Sequence, residues 1–217
     1  IAGGVESMSR APYAMGKAES AFEREPRPED TTMGRRFANP RMRASHGVDS
    51  MTQTAENLAH RFAITRRDMD EYSARSHARV LAAQKAGHYA NEVLPIHDRS
   101  GALYAADDGV REDSTVENLA KLKPFFDRKY GNVTAGNSSQ VTDGGAWVIV
   151  ASQRAVDEHK LTPIGRIVDS QWAGLDPAQM GLGPVHAVTP ILARQGLGLA
   201  DIDAWEINEA FAAQVIG

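Results

Sequence analysis

Apolar residues recur at helical spacing in two adjacent segments near the middle of the chain. In residues 50–62, "SMTQTAENLAHRF", the apolar stripe consists of Met51, Ala55, Leu58 and Phe62. In residues 65–87 the stripe consists of Met69, Tyr72, Ser76, Val80 and Ala83. Because residues three and four apart share one face of a helix, both segments are predicted to be amphipathic helices. Thr65 is placed to cap the second helix, and Gly87 is placed to end it.

Three shorter helices are predicted from local signals. Ser114 and Glu117 have the spacing of a capping box, which predicts a helix beginning at Ser114. A short helix is expected over residues 153–160. Pro184 suits the first position of a further helix over 184–195, since its fixed φ angle matches the helix and its missing N–H is not needed there.

Continuous apolar runs predict strands at several places. The run "AWVIVAS" at 146–152 is typical of a buried strand, and 164–173 and 204–207 are further candidates. Residues 92–96 predict a short extended piece, and residues 1–10 the tail of a buried strand that enters a Gly-Gly turn. Strands and helices would then alternate from residue 146 onward, which favours an α/β layer.

Residues 11–45 lack any sustained period and are interrupted by four prolines, Pro12, Pro26, Pro28 and Pro40. The chain from residue 11 to about 125 is therefore predicted to be mostly helical and irregular. It would form an insertion between two pieces of the α/β layer. Long irregular stretches of this kind are usually functional or form interfaces.

Composition narrows the class of protein. The 217 residues are 42 % apolar and 24 % charged, with a net charge of −4, as in ordinary globular proteins. This charge does not predict a nucleic-acid surface, and no apolar run is long enough for a membrane helix. The absence of cysteine excludes disulfides, thiolate metal sites and a cysteine nucleophile within these residues, and it favours a reducing compartment. The scattered histidines have no metal-binding spacing, so no metal site is predicted.

Small and polar residues are concentrated in "TAGNSSQVTDGGA", residues 134–146. Two interpretations are open for this segment. Its backbone N–H groups and hydroxyls could face a polar ligand, because glycine lets a ligand approach the backbone closely. It could equally be a tight turn into the predicted strand. Neither of the two common glycine-rich nucleotide motifs is present.

Asn208 also has two interpretations. It lies in "EINEAF", between a predicted strand end and a predicted helix start, where α/β sheets border ligand crevices. An amide at such a position can orient a water or donate a hydrogen bond to an oxyanion. Asparagine is also a good helix N-cap, which would be a purely structural role.

Taken in order, five motifs resemble those of the thiolases, the acyl-CoA:acetyl-CoA C-acyltransferases. They are "AGGVESMS", "TAEN", "VTAGNSSQVTDGGA", "MGLGPVHA" and "NEAFAAQ". Three further segments, "RAPYAMGKAESAF", "DTTMGRRFANP" and "HGVDSM", are similar to the β-ketoadipyl-CoA branch, which cleaves 3-oxoadipyl-CoA in aromatic breakdown. The resemblance extends along essentially the whole chain.

The resemblance implies a partial thiolase-like fold, with a helical loop domain inserted in an α/β layered core. Residues 1–10 would end the N-terminal half, and 11–141 would be the loop domain. Residues 142–162 would return to the N-terminal half, and 163–217 would begin the C-terminal half. A homotetramer, a cytoplasmic location, and neither nucleic acid nor membrane as a partner are also expected.

The resemblance further implies roles for seven residues toward coenzyme A (CoA) and acyl-CoA, with no covalently bound cofactor. Ser139 would contact the pantetheine arm, and Arg111 would lie beside the adenine nucleotide. Apolar walls of the tunnel and acyl pocket would come from Met51, Phe126 and Met180. Asn208 would hold a water in an oxyanion hole, and Phe211 would line the same region.

Thiolase chemistry implies groups that this chain lacks. A cysteine thiolate attacks the substrate, and a histidine lowers the pKa of this cysteine. A second cysteine exchanges a proton with the carbon of the departing acetyl-CoA. The resemblance places the nucleophile upstream of Ile1, and the histidine and second cysteine downstream of Gly217. We therefore expect an internal portion of a thiolase that is inactive alone. The alternatives are a general 3-ketoacyl-CoA or acetoacetyl-CoA thiolase and a non-catalytic CoA-binding protein.

Overall fold

The computed structural model describes residues 1–217, which separate into two compact units. The first unit contains Ile1–Ser50 and Val141–Glu206, and the second contains Met51–Gln140 and Ile207–Gly217. Each unit is thus assembled from two stretches that are distant in sequence. Neither unit has a helix with the length and apolar character needed to cross a bilayer.

The largest sheet of the first unit is an antiparallel pair, β1 (Ala2–Ser7) with β6 (Asp143–Val148). The strand predicted at 146–152 is present but begins earlier, and its predicted burial is wrong, because every residue of the pair is exposed. A two-stranded ribbon has no second layer to cover either face. The predicted Gly-Gly turn is also wrong, since both glycines lie inside β1. A side chain on Gly3 would overlap the Trp147 ring of the facing strand.

The first unit also contains two short strands and three α-helices, together with three 3₁₀ helices at Met8–Arg10, Pro177–Leu182 and Leu199–Asp201. The strands and α-helices are β2 (Tyr13–Met15), β3 (Pro28–Asp30), α1 (Pro40–His46), α5 (Gln153–His159) and α6 (Gly183–Gln195). Strands β2 and β3 pair antiparallel. The helices predicted at 153–160 and 184–195 are confirmed as α5 and α6, with proline in the first turn of α6 as expected.

The strands predicted at 164–173 and 204–207 are wrong, since neither segment pairs with another strand. An apolar run becomes a strand only where a second strand accepts and donates its backbone hydrogen bonds. In place of a strand pairing, the first segment is held by side chains. The Asp169 carboxylate accepts hydrogen bonds from the Arg194 guanidinium and from Gln195 of α6, which lower the pKa of Asp169 to about 2.

The second unit is mainly helical. Its elements are α2 (Met51–Arg61), α3 (Arg66–Lys85), the hairpin of β4 (Ile96–His97) and β5 (Leu103–Tyr104), α4 (Val116–Leu119) and α7 (Ala212–Ile216). Both predicted amphipathic helices are confirmed as α2 and α3. The predicted extended piece at 92–96 overlaps β4 in one residue.

Helix starts in the second unit depend on local side chains. Helix α3 begins with a reciprocal capping box between Thr65 and Asp68, as the sequence predicts for Thr65. The capping box predicted from Ser114 and Glu117 is wrong by one residue. Thr115 caps α4 and accepts the N–H of Asn118 instead. The shift is physically small, because adjacent hydroxyl residues compete for the same cap position.

The apolar core of the second unit joins three helices and two loop residues. It consists of Ala55, Ala59, Ile64, Met69, Val133, Ala212 and Ala213. The stripe predicted on α2 is buried only in its middle, at Ala55 and Leu58, whereas Met51 and Phe62 at its ends are exposed. Through this core, α7 packs against α2 and α3, although it lies more than 120 positions after them in sequence.

A buried carboxylate anchors the loop that follows α4. Glu56 of α2 is only 4 % exposed, and its two oxygens accept the backbone N–H groups of Asn132 and Val133 at 2.8–3.1 Å. A carboxylate is costly to bury unless it is hydrogen-bonded, and N–H groups are costly to bury without an acceptor. Each group here satisfies the other, so residues 132 and 133 are fixed without a strand partner.

A second buried polar group continues along the same loop. Asn137 donates to Asp70 of α3 at 3.1 Å and to the Asn132 carbonyl at 3.1 Å, while its own carbonyl accepts the N–H of Thr134 at 2.8 Å. Burial raises the pKa of Asp70, and the pairing with Arg66 at 2.8 Å acts in the opposite direction. The loop is thus held on α2 and α3 by side chains.

We expect Glu56→Ala to lower the free energy of unfolding by about 3 kcal/mol, because two buried N–H groups lose a charged acceptor. Urea unfolding monitored by circular dichroism measures this loss. Glu71→Ala removes the same group from an exposed surface pair with Arg67 and is the matched control, with an expected change below about 0.5 kcal/mol. Equal losses in the two variants would contradict the anchoring role.

Ala63 has a left-handed backbone conformation, with a φ of 52°, in the turn between α2 and α3. We expect Ala63→Gly to raise the free energy of unfolding by up to about 1 kcal/mol, because glycine has no Cβ to strain there. Ala86 caps α3 with an ordinary φ of −80°, so Ala86→Gly should destabilise the protein slightly. Thermal unfolding of both variants checks the opposite signs.

Candidate functional site

The turn formed by residues 208–211 is attached to residues 134–140 of the second unit, which we call the serine loop. The Ala210 carbonyl accepts the Ser139 N–H at 2.9 Å, and Ser138 forms an isolated antiparallel bridge with Phe211. Two candidate residues, Ser139 and Phe211, are therefore brought close together although 72 positions separate them in sequence. The loop does not simply turn into the following strand.

Asn208 is exposed and its side chain makes no hydrogen bond within the chain. Helix α7 begins at Ala212, and Phe211 occupies its N-cap position. The N-cap interpretation of Asn208 is therefore wrong, because the asparagine lies too far before the helix to reach its first N–H groups. Both ends of the Asn208 amide are left available to a ligand.

The two adjacent serines of the loop differ in how they are used. The Ser138 hydroxyl donates to the Thr134 carbonyl at 2.7 Å and closes the short turn Ala135–Asn137. The Ser139 hydroxyl is exposed and makes no hydrogen bond within the chain. Of the two, Ser139 is the one that can serve a ligand without losing an internal contact.

Glu209 is a residue of this turn that the sequence prediction missed. Its carboxylate accepts the Tyr72 hydroxyl at 2.6 Å and the Ser76 hydroxyl at 2.5 Å, both from α3. Burial, followed by the hydrogen bond to Glu209, raises the pKa of Tyr72 to about 12. The available signal was the pair of hydroxyls inside an apolar helical stripe, which indicates a polar partner on that face.

Arg111 lies in a loop that contacts both α3 and the serine loop. Its backbone N–H donates to His77 Nδ1 at 3.2 Å, and its guanidinium pairs with Asp113 at 3.1 Å. The Gly109 carbonyl accepts the amide of Gln140, the residue after the candidate serine, at 2.7 Å. Burial, and then the nearby guanidinium, lowers the pKa of His77, so this imidazole is neutral near pH 7. Arg111 thus borders the serine loop.

Three candidate apolar residues are partly open to solvent. Met51 at the start of α2 is 56 % exposed, and Phe126 is 45 % exposed; both belong to the second unit. Met180 is 39 % exposed in the 3₁₀ helix Pro177–Leu182 of the first unit. Phe211 differs from these, since it packs against the apolar core of the second unit. The first three have apolar surface to offer to a ligand.

The chain matches the models of two domains of one family. Residues 1–154 match "Thiolase, N-terminal domain", and residues 161–217 match "Thiolase, C-terminal domain". The two matches together span almost the entire chain.

Curated relatives give the same result. The chain is 46 % identical to the β-ketoadipyl-CoA thiolase of Pseudomonas putida over 217 residues, which are 99 % of this chain and 54 % of the relative. It is 48 % identical to the 3-oxoadipyl-CoA/3-oxo-5,6-dehydrosuberyl-CoA thiolase of Escherichia coli K12, covering 100 % of this chain and 55 % of that one. The chain thus spans about half the length of these relatives.

Solved structures agree on the fold. The structure of human mitochondrial 3-ketoacyl-CoA thiolase in complex with CoA superposes with a TM-score of 0.87 at 39 % identity, covering 99 % of this chain and 53 % of that one. The dimeric peroxisomal thiolase of Saccharomyces cerevisiae superposes with a TM-score of 0.84 at 33 % identity, over 99 % and 52 %. These findings confirm the predicted partial α/β thiolase fold, and the chain belongs to the thiolase family.

Proposed function

We propose that this chain contributes the CoA-binding and oxyanion side of a degradative thiolase in which 3-oxoadipyl-CoA and free CoA give succinyl-CoA and acetyl-CoA. One observation carries the proposal. The Asn208 amide and the Ser139 hydroxyl are both without internal partners, and the Ser139–Ala210 backbone hydrogen bond holds their segments together. Similarity to thiolases that act on 3-oxoadipyl-CoA supports the choice of substrate.

Cleavage of a 3-oxoacyl-CoA breaks the bond between C2 and C3. The electron pair moves toward the thioester oxygen of the departing acetyl-CoA, so negative charge develops on that oxygen. In our proposal Asn208 holds a water that donates a hydrogen bond to it. A fixed donor stabilises such charge strongly, because it need not reorganise during the reaction. The attacking and proton-transferring cysteines are not among these 217 residues.

The remaining candidates would bind the CoA portion of the substrate. The Ser139 hydroxyl can form a hydrogen bond with an amide of the pantetheine arm. The side chains of Met51, Phe126 and Met180 can pack against its methylene groups, since soft apolar side chains adapt to a flexible ligand. The Arg111 guanidinium suits the anionic nucleotide end. It is already paired with Asp113 on an exposed surface, where such pairs exchange at little cost.

We also propose a domain organisation, an oligomeric state and a cellular location for the protein. Residues 11–141 would form the inserted loop domain, between N-terminal pieces at 1–10 and 142–162, and residues 163–217 would begin the C-terminal half. The protein would act in the cytoplasm in aromatic degradation, as a homotetramer built from dimers. Similarity to a dimeric yeast thiolase supports the dimeric step.

Two alternatives remain as competing predictions. A general 3-ketoacyl-CoA or acetoacetyl-CoA thiolase would use the same residues with a different acyl pocket. A non-catalytic CoA-binding protein would use the serine loop without turnover. Reading the gene on both sides of these residues separates the second alternative from the enzymes, which require cysteines there.

The gene's full translation product is expected to cleave 3-oxoadipyl-CoA with a higher kcat/KM than acetoacetyl-CoA, measured by chromatography of the CoA products. A preference for acetoacetyl-CoA would favour the general thiolase. The 217-residue chain alone is expected to show no turnover, because it has no cysteine.

In the full translation product, Asn208→Ala is expected to lower kcat about 100-fold with little change in KM, because the lost contact acts on charge that develops in the transition state. Asn91→Ala is the matched control, since Asn91 is also exposed and has no hydrogen bond. Unchanged kcat in the Asn208 variant would contradict the proposed oxyanion role.

A further inference from the structure

The carboxylate of Glu209 connects the turn of Asn208 to the longest helix of the second unit. We infer that Glu209, Tyr72 and Ser76 form a clamp that positions the Asn208 amide for the reaction. We call these three residues the α3 clamp. The inference rests on the proposed function, in which Asn208 holds the oxyanion water.

The geometry of the clamp is bidentate. Tyr72 and Ser76 are four residues apart on α3, so they lie on one helix face. Tyr72 donates to Glu209 Oε1 at 2.6 Å, and Ser76 donates to Oε2 at 2.5 Å. Each hydroxyl uses a different oxygen of the same carboxylate. Hydrogen bonds to an ionised acceptor are stronger than neutral ones, and two of them fix orientation as well as distance.

The α3 clamp holds the residue next to Asn208 and makes no contact with the Asn208 side-chain amide. Glu209 follows Asn208 directly, the Ala210 carbonyl is held by the Ser139 N–H, and Phe211 packs on the apolar core. Three consecutive residues are therefore fixed, each by a different kind of contact, while the Asn208 side chain keeps its hydrogen-bonding groups free. This arrangement is what a preorganised donor requires.

Helix α3 is a rigid support for the clamp. It extends over 20 residues, begins with a capping box, and buries Met69 and Asp70 one turn before the clamp hydroxyls. Tyr72 is half-buried, and the Arg75 guanidinium lies 5.2 Å from the centre of its ring. A movement of the turn would therefore break contacts with a fixed partner.

The test compares clamp variants in the full translation product. Glu209→Ala is expected to lower kcat about tenfold to a hundredfold with KM changed less than about twofold, because a misplaced donor weakens the transition state more than substrate binding. Glu209→Gln keeps one acceptor oxygen and should recover part of the loss. Glu206→Ala, which removes an exposed carboxylate without a partner, is the matched control.

A double-mutant comparison tests whether the three residues act as one unit. Tyr72→Phe with Ser76→Ala removes both donors while keeping the carboxylate, and should lower kcat nearly as much as Glu209→Ala. Adding the two changes to Glu209→Ala should have little further effect, since the contacts are already lost. Full additivity, or an unchanged kcat in any of these folded variants, would overturn the clamp.

Hydrogen–deuterium exchange gives a readout that does not depend on activity. Loss of the clamp should speed exchange at the Ser139 amide, which donates to the Ala210 carbonyl of the turn, at least about tenfold, while α3 stays protected. A general loss of protection would instead indicate a purely structural role. If the wild-type protein cleaves no 3-oxoacyl-CoA, the proposed function is wrong. The effect of the clamp on catalysis is then wrong as well. The exchange data would still decide whether the clamp holds the turn.

Discussion

The buried carboxylate of Glu56 is the contact on which the ligand-facing side of the second unit depends. Residues 132 and 133 of the loop from 131 to 140 belong to no strand pairing, so their N–H groups must find acceptors elsewhere. Glu56 accepts two of them from a helix more than 70 positions earlier in the chain. Once residues 132 and 133 are fixed, Asn137 and the Ser139 N–H can reach Asp70 and Ala210.

A second carboxylate, that of Glu209, holds the turn of Asn208 in the way that Glu56 holds the loop. It fixes the turn of Asn208 to α3, whereas Glu56 fixes the serine loop to α2. The backbone hydrogen bond between Ser139 and Ala210 then joins the two. The candidate site is thus built from helices, a loop and a turn that are remote in sequence, and the two groups proposed to meet substrate are those left without internal partners.

Local signals located the long helices α2, α3 and α6, missed the short helix α1, and were insufficient for the strands. Helix α3 begins where Thr65 and Asp68 cap each other, a contact that spans three residues and can be recognised in the sequence. Residues 164–173 and 204–207 have apolar runs as suitable for strands as that of β6, yet only β6 has a partner, β1, in this chain. Strand formation depends on a distant segment, which an apolar pattern cannot reveal.

The sequence by itself determined the family, through ordered motifs, together with the main helices and the absence of any cysteine within these residues. Only the tertiary structure decided that Ser139 rather than Ser138 has a free hydroxyl, that Asn208 does not cap a helix, and that Glu209 has partners on α3. The physical reason is distance along the chain. Motifs and caps are local, whereas the hydrogen bonds from Tyr72 and Ser76 to Glu209 join residues 137 and 133 positions apart.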